Sequence, residues 1–157
     1  MGLFHTKLLI PNMKLSIRAL RALSVSRSIL GFESNSTSTR EKVISGLGAF
    51  FGILMVCWVS SFVVQGTDAI LVVASMGATA VLLFAVPHGT LSQPWALMGG
   101  HFVSALIGVT CARYIPHTYL AAALAVGLAV GVMYWANCIH PPGGATALTA
   151  VLGGESI

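Results

Sequence analysis

Charged side chains are scarce in this sequence of 157 residues. They make up 8% of it, against about 25% in an ordinary soluble domain, whereas 56% of the residues are hydrophobic. From Val43 to Gly154 only Asp68 and Arg113 are ionised at neutral pH. This composition excludes an ordinary soluble domain and predicts a chain that lies in a lipid bilayer.

Cysteine is also scarce, and Cys57, Cys111 and Cys138 lie far apart without a CxxC spacing. This pattern argues against a zinc or redox motif and favours small, buried, apolar side chains. No HExxH motif and no pair of carboxylates occurs either, so we expect no enzyme, no cofactor and no metal. The weaker alternative is an intramembrane enzyme or metal site built from four histidines: His88, His101, His117 and His140.

Basic residues are concentrated at the start of the chain. Seven of the eight Lys and Arg residues lie before Val43, so we interpret residues 1–42 as a basic flank and linker. Such a flank contacts anionic lipid and favours the cytoplasmic side, and a nucleic-acid partner is not expected. A transit peptide is the alternative for this segment.

Residues 43–154 are predicted to form the membrane domain, an all-α, polytopic bundle of helices. Its apolar stretches predict four spans and a half-helix, because about 20 apolar residues cross the hydrocarbon core as a helix. The predicted spans are 43–64, 69–86, 96–114 and 119–139, followed by the half-helix 143–154. Two GxxxG patterns, at Gly48 and Gly52 and at Gly127 and Gly131, predict close helix packing and a possible homo-oligomer.

The sequence HPPGGATALTAVL begins at His140, directly after the fourth predicted span. Pro141 and Pro142 lack a backbone donor, and Gly143 and Gly144 permit unusual backbone conformations, so we expect an unwound turn and then a new helix. Irregular backbone at membrane depth is buried in protein or lines a polar cavity. This stretch is therefore the first place to expect a site.

The tetrapeptide GATA occurs twice, at residues 77–80 and 144–147. The first copy lies on a predicted span that runs inward and the second on a segment that runs outward, which is typical of the inverted repeats of transporters. Helix starts carry free amides and partial positive charge, so two converging starts hold an anion without a buried Lys or Arg. Thr79 and Thr146 would add hydroxyl donors.

The sequence resembles the HPP family of integral membrane proteins. The resemblance rests on SMGATAVLLF from Ser75, on Gln93 and Pro94 leading to GGH at 99–101, and on HPPGGATAL from His140. It implies a small helical membrane protein, and some plant and cyanobacterial members are described as nitrite transporters. Members continue past this motif into a further span, so we expect this chain to be a fragment or a truncated product.

The leading hypothesis is therefore a transporter of a small anion, nitrite being the named candidate, with His101 or His140 gating the path or moving a proton. The alternative is a membrane scaffold or sensor without transport activity. We expect a bacterial inner membrane, with an organellar membrane as the alternative. The predicted binding residues are Ser75, Gly77, Thr79, His101, His140, Gly143, Gly144 and Thr146, and the predicted structural motif residues are Gln93, Pro141 and Pro142.

Overall fold

The computed structural model describes residues 37–63 and 67–153, with side chains at 37–63 and 73–153. The basic flank predicted for residues 1–42 therefore lies outside the described residues, except for its last six. Five α-helices and one short 3-10 helix form the described part, which contains no strand. The predicted all-α membrane bundle is confirmed. The helices are α1 (Thr39–Ser60), α2 (Thr67–Ala85), α3 (Pro94–Tyr114), α4 (Thr118–Trp135) and α5 (Pro142–Leu152), with the 3-10 helix Thr90–Ser92 between α2 and α3.

The first helix begins at a capping box that the sequence analysis missed. The backbone N–H of Glu41 donates to Oγ of Ser38 at 3.2 Å, and the backbone N–H of Ser38 donates to the Glu41 carboxylate at 2.9 Å. This reciprocal pair satisfies two amides that a helix start leaves without partners. As a result α1 begins at Thr39, four residues before the predicted span.

Three of the described helices, α1, α3 and α4, are long and apolar enough to cross a membrane. The described apolar part of α2, Val73–Ala85, and the helix α5 are shorter. The described residues thus contain three full-length spans. The sequence predicted four spans, followed by one half-helix. The predicted half-helix is present as α5.

The helices α3, α4 and α5 pack closely because each presents a row of small residues. On α4 the residues Ala121, Ala125 and Ala129 are buried at four-residue intervals, and on α3 Ser104 and Gly108 are buried in the same way. Small side chains let helix backbones approach, which is the main source of helix association in lipid. A Cβ at Gly108 would lie 2.6 Å from the backbone oxygen of Ala147 on α5.

The two predicted GxxxG patterns have different surroundings. The ring of Phe84, on α2, lies against Gly48 and Gly52 of α1, where added Cβ atoms would come within 2.5 Å and 3.0 Å of it. By contrast, nothing lies within 4 Å of a Cβ placed at Gly127 or Gly131. The first pattern therefore packs α1 on α2, and the second faces outward from the described part of the chain.

The end of α4 reverses the chain and directs it into the bundle. Asn137 has a φ of 53°, and the next amide, of Cys138, donates to the carbonyl of Met133 at 3.0 Å. The amide of Asn137 donates to the carbonyl of Tyr134 at 3.3 Å. These are the two hydrogen bonds of a Schellman motif, with asparagine in the left-handed position that is most often glycine. The turn buries Cys138 and His140 completely.

Candidate functional site

The first GATA tetrapeptide does not begin a helix. Gly77 lies in the middle of α2, which continues without interruption from Thr67 to Ala85. The prediction of a helix start at this position is wrong. A single glycine costs a helix only about 1 kcal/mol relative to alanine, and no proline accompanies it here. The residues around Gly77 therefore remain helical.

The second GATA tetrapeptide does lie at a helix start, because Pro142 is the first residue of α5. Two amides of this helix start already have partners, however: Gly143 N–H donates to the carbonyl of His140 at 2.8 Å, and Gly144 N–H donates to the carbonyl of Pro141 at 3.0 Å. These two amides are not free to hold an anion. The predicted site made of two converging helix starts is therefore not the arrangement that the structure shows.

The two GATA threonines meet instead on one histidine. Oγ1 of Thr79 lies 2.9 Å from Nε2 of His101, and Oγ1 of Thr146 lies 2.8 Å from Nδ1 of the same ring. His101 comes from the second turn of α3, while the threonines come from α2 and α5. A single imidazole thus joins three helices through both of its nitrogens.

His140 completes the arrangement and is fully buried. Its Nε2 lies 3.1 Å from Oγ1 of Thr79, and its Nδ1 lies 2.8 Å from the backbone carbonyl of Leu91. The rings of His140 and His101 are 4.9 Å apart between centroids and meet edge to face at 65°. Thr79 therefore contacts both imidazoles with one hydroxyl group.

Ser75 lies one turn before Thr79 on α2 and is buried. Its Oγ is 3.2 Å from Oγ1 of Thr146, and its backbone carbonyl is 3.2 Å from Oγ1 of Thr79. We call Ser75, Thr79, His101, His140 and Thr146 the histidine cluster. Of the eight predicted binding residues, these five are brought together through their side chains.

Two glycines allow the histidine cluster to form. A Cβ at Gly100 would lie 2.5 Å from Cβ of His140, and a Cβ at Gly143 would lie 2.7 Å from Oγ of Ser104. Only a residue without a side chain lets His140 and the start of α5 come this close to α3. Gly143, predicted as a binding residue, therefore lies beside the cluster as a packing position. The positions beside Gly77 and Gly144 are more open, with no atom closer than 4.0 Å to an added Cβ.

The predicted motif residues lie at the edge of this region. Gln93 is exposed, and its side-chain amide donates to the carbonyl of Gly89 at 3.3 Å. Pro141 is exposed and Pro142 is buried at the first position of α5. The carbonyl of Leu91 was not predicted as part of the site, because a backbone acceptor in a loop leaves no signal in the residue type.

Ser92 holds the loop that carries Leu91. Its Oγ lies 2.7 Å from the carbonyl of Val86 and 2.9 Å from that of Leu82. Leu82 lies in the last turn of α2 and Val86 directly follows the helix. Each carbonyl also accepts a backbone N–H, from Val86 at 3.1 Å and from Gly89 at 3.0 Å respectively. The sequence did contain a signal for this loop structure, because Ser92 follows the turn residues Pro87 and Gly89. In such loops the serine hydroxyl often forms hydrogen bonds with nearby backbone groups.

The histidine cluster lies below one end of the bundle. Thr79 is six residues before the end of α2, His101 seven after the start of α3, and Thr146 four after the start of α5. At about 1.5 Å per residue these positions are roughly 6–11 Å below the helix ends. They are on the side of the loop 86–93, which the basic flank predicts to be cytoplasmic.

The chemistry of the cluster is that of hydroxyl groups and imidazoles. It contains no carboxylate and no permanent cation. Among the described residues, no group of three or more His, Cys, Asp or Glu side chains is placed to hold a metal ion. Every buried side-chain nitrogen and oxygen in the described part has a hydrogen-bond partner. Such a set binds anions or exchanges protons once an imidazole is charged.

Comparison with known proteins agrees with this membrane architecture. The sequence model of a family described as "HPP, transmembrane region" matches residues 34–157. Two proteins of Dictyostelium discoideum, both named only as transmembrane proteins, are similar to the chain. One is 41% identical over 115 residues, which cover 71% of the chain and 37% of the relative. The other is 38% identical over 113 residues, covering 69% and 40%.

The chain thus spans well under half of the length of either relative. No solved structure matches it significantly.

Proposed function

Because the chain belongs to the HPP transmembrane family, and is therefore an integral membrane protein, we propose that it moves a small inorganic anion through the histidine cluster. Nitrite is the named candidate, suggested by the family resemblance. The observation that carries the proposal is the pair of imidazoles, His101 and His140, held by the two GATA threonines inside an apolar bundle. Ionisable side chains at membrane depth are costly, and those that occur commonly mark ion or proton pathways.

Charge is the first requirement for an anion site. Neutral imidazoles and hydroxyls offer hydrogen bonds, but no charge to balance an anion in a medium of low dielectric constant. Protonation of one imidazole supplies that charge, because the hydroxyl groups of the cluster cannot become cations in water and the imidazoles can. An anion bound beside an imidazolium makes a pair without net charge, so the bilayer opposes it less than either ion alone.

Hydrogen-bond donors are the second requirement. Nitrite is a small, bent anion with acceptor oxygens, and the N–H groups of His101 and the hydroxyls of Thr79 and Thr146 are donors of matching size. These groups at present bond to one another at 2.8–2.9 Å. We propose that the anion enters between them and exchanges these bonds for bonds to its own oxygens, which keeps every polar group paired.

Transport is tested by reconstituting the purified chain into liposomes and measuring nitrite uptake colorimetrically. We expect uptake above that of empty vesicles, with competition by nitrate or formate if the site accepts related anions. Flux of nitrite, nitrate, formate and chloride equal to that of empty vesicles would overturn the proposal.

A membrane scaffold or sensor is the second candidate. It is favoured by the complete pairing of the buried polar side chains in the described part, since a closed hydrogen-bond network can serve only to lock α2, α3 and α5 together. A scaffold tolerates loss of one hydroxyl without any change in anion handling. The comparison of threonine variants in the Discussion separates the two functions.

A further inference from the structure

The hydrogen bonds of His140 determine where its proton lies. Nδ1 of His140 is 2.8 Å from the carbonyl of Leu91, and a carbonyl oxygen has no proton to donate. Nδ1 therefore carries the proton in the neutral ring, and Nε2 has a lone pair. The hydroxyl of Thr79 has two acceptors, this lone pair at 3.1 Å and the carbonyl of Ser75 at 3.2 Å. Donation to His140 is the arrangement that leaves Nε2 of the buried ring with a partner.

The position of this proton determines the positions of the other protons in the neutral cluster. Because the single hydroxyl proton of Thr79 is directed to His140, its oxygen accepts from Nε2–H of His101 at 2.9 Å. Nδ1 of His101 is then an acceptor and takes the hydroxyl proton of Thr146 at 2.8 Å. The neutral state is thus a directed chain of hydrogen bonds from Thr146 to the carbonyl of Leu91.

One added proton has two positions in this chain. On His101 it occupies Nδ1, and the hydroxyl of Thr146 turns to Oγ of Ser75 at 3.2 Å or to the carbonyl of Pro142 at 3.3 Å. On His140 it occupies Nε2, and Thr79 then accepts from His140 and donates to His101. Every donor has an acceptor in both states, because Thr79 and Thr146 can each reverse the direction of their hydrogen bonds.

We propose that the hydroxyl of Thr79 relays a proton between His101 and the buried His140. In the step, the N–H bond at Nε2 of His101 breaks as a new O–H bond forms on Thr79. The original O–H bond of Thr79 breaks as an N–H bond forms at Nε2 of His140. One positive charge passes from the first ring to the second, Thr79 is regenerated, and His101 is left neutral with its proton on Nδ1.

The two histidines of the relay differ in their access to solvent. His101 is half-buried, whereas His140 is 0% exposed and its other nitrogen contacts a carbonyl that cannot accept a transferred proton. A proton that reaches His140 therefore returns by the same path. The pair stores a proton and does not conduct one across the bilayer.

The groups facing the two rings carry no competing charge. The described side chains of α2, and those of α4 and α5, include no Asp, Glu, Lys, Arg or further His. On α3, Arg113 is exposed and twelve residues from His101, and on α2 Asp68 is eleven residues before Thr79, so each is about 16–18 Å away along its helix. Cys138 is buried against Gly99, and His88 is exposed.

Nitrogen-15 NMR of histidine in the reconstituted chain tests the relay, because ring nitrogens with and without a proton differ in chemical shift. At high pH we expect His140 as the Nδ1–H tautomer and His101 as the Nε2–H tautomer. On acidification the signals of both rings should move with one shared midpoint. His88→Gln and His117→Gln, at exposed positions, simplify the assignment.

The variant Thr79→Val keeps the shape of the side chain and removes the hydroxyl. We expect the ring of His140 to stay neutral over the pH range in which His101 gains its proton. Valine provides no acceptor for an N–H at Nε2 of His140 and no hydroxyl through which a proton could pass from His101. Thr79→Ser should restore the shared midpoint, which distinguishes the relay from a packing effect.

Separate midpoints for the two rings in the wild type, or unchanged titration of His140 in Thr79→Val, would overturn the relay. The measurement uses no anion, so its outcome is independent of whether nitrite is transported.

Discussion

Thr79 and Thr146, the third residues of the two GATA tetrapeptides, contact opposite ring nitrogens of His101, at 2.9 Å and 2.8 Å. The repeat therefore matters through its hydroxyl groups. Its glycines, which the sequence analysis expected to begin two helices, lie in the middle of α2 and in the first turn of α5. The relationship between the copies is a shared imidazole that joins α2, α3 and α5.

Removing one of these hydroxyls should impair anion handling. For Thr146→Val we expect the KM for nitrite to rise about fivefold or more, because a hydrogen bond contributes about 1 kcal/mol. The measurement is the initial rate of nitrite uptake by liposomes at several concentrations. Thr110→Val is the matched control, since Thr110 is an exposed residue of α3 whose hydroxyl donates only to its own helix, at the carbonyl of Leu106.

If the protein is a scaffold without transport activity, Thr146→Val and Thr110→Val should not differ in nitrite uptake. Equal KM values for Thr146→Val, Thr110→Val and the wild type would therefore contradict a site at the cluster.

Uptake should depend on pH because the positive charge of the cluster comes from an imidazole. Because an imidazole gains its proton as the pH falls, the corrected uptake rate should increase as the pH is lowered from 8 to 5. Empty vesicles at each pH provide the correction for nitrous acid that crosses the lipid unaided. A corrected rate that is constant or that rises with pH would argue against an imidazolium as the anion's partner.

Much of the helical architecture was predictable, since long uncharged stretches leave few alternatives in lipid. The starts and ends of the helices were less predictable. Ser38 and Glu41 lie in a polar stretch that resembled a linker, and only the hydrogen bonds between them show that they cap the first helix. Thr79, His101 and Thr146 were all predicted as site residues. They were expected to line one site, but the hydrogen bonds of both threonines to the ring of His101 were not predicted, because the distance between separate helices depends on packing at glycines such as Gly100, which no local pattern reveals.

The contact between α3 and α5 should tolerate no added methyl group. A Cβ at Gly108 would lie 2.6 Å from the carbonyl of Ala147 and 2.8 Å from Cβ of Ala150, so we expect Gly108→Ala to lower the free energy of unfolding by about 1–3 kcal/mol. The readout is thermal unfolding in detergent. Gly127→Ala is the matched control because its position is open, and it should leave stability unchanged or slightly raised. Equal effects of the two substitutions would contradict the packing described.

The turn after α4 should depend on the left-handed backbone of Asn137. Asn137→Ala places a residue that disfavours this conformation at a φ of 53°, and we expect a loss of about 1 kcal/mol. Asn137→Gly should be neutral or stabilising, because glycine is the usual residue of this motif. Comparison of melting temperatures in detergent tests this, and an alanine variant as stable as the glycine variant would show that the turn is not under this constraint.

The most direct test of the proposed site compares nitrite uptake by the wild type, His101→Gln and His88→Gln in liposomes of one composition. Glutamine keeps a side-chain donor and acceptor but cannot carry a charge, and His88 is exposed outside the cluster. We predict that His88→Gln takes up nitrite at the rate of the wild type, whereas His101→Gln falls to the level of empty vesicles. Uptake by His101→Gln at the wild-type rate would contradict a role for the histidine cluster in anion movement.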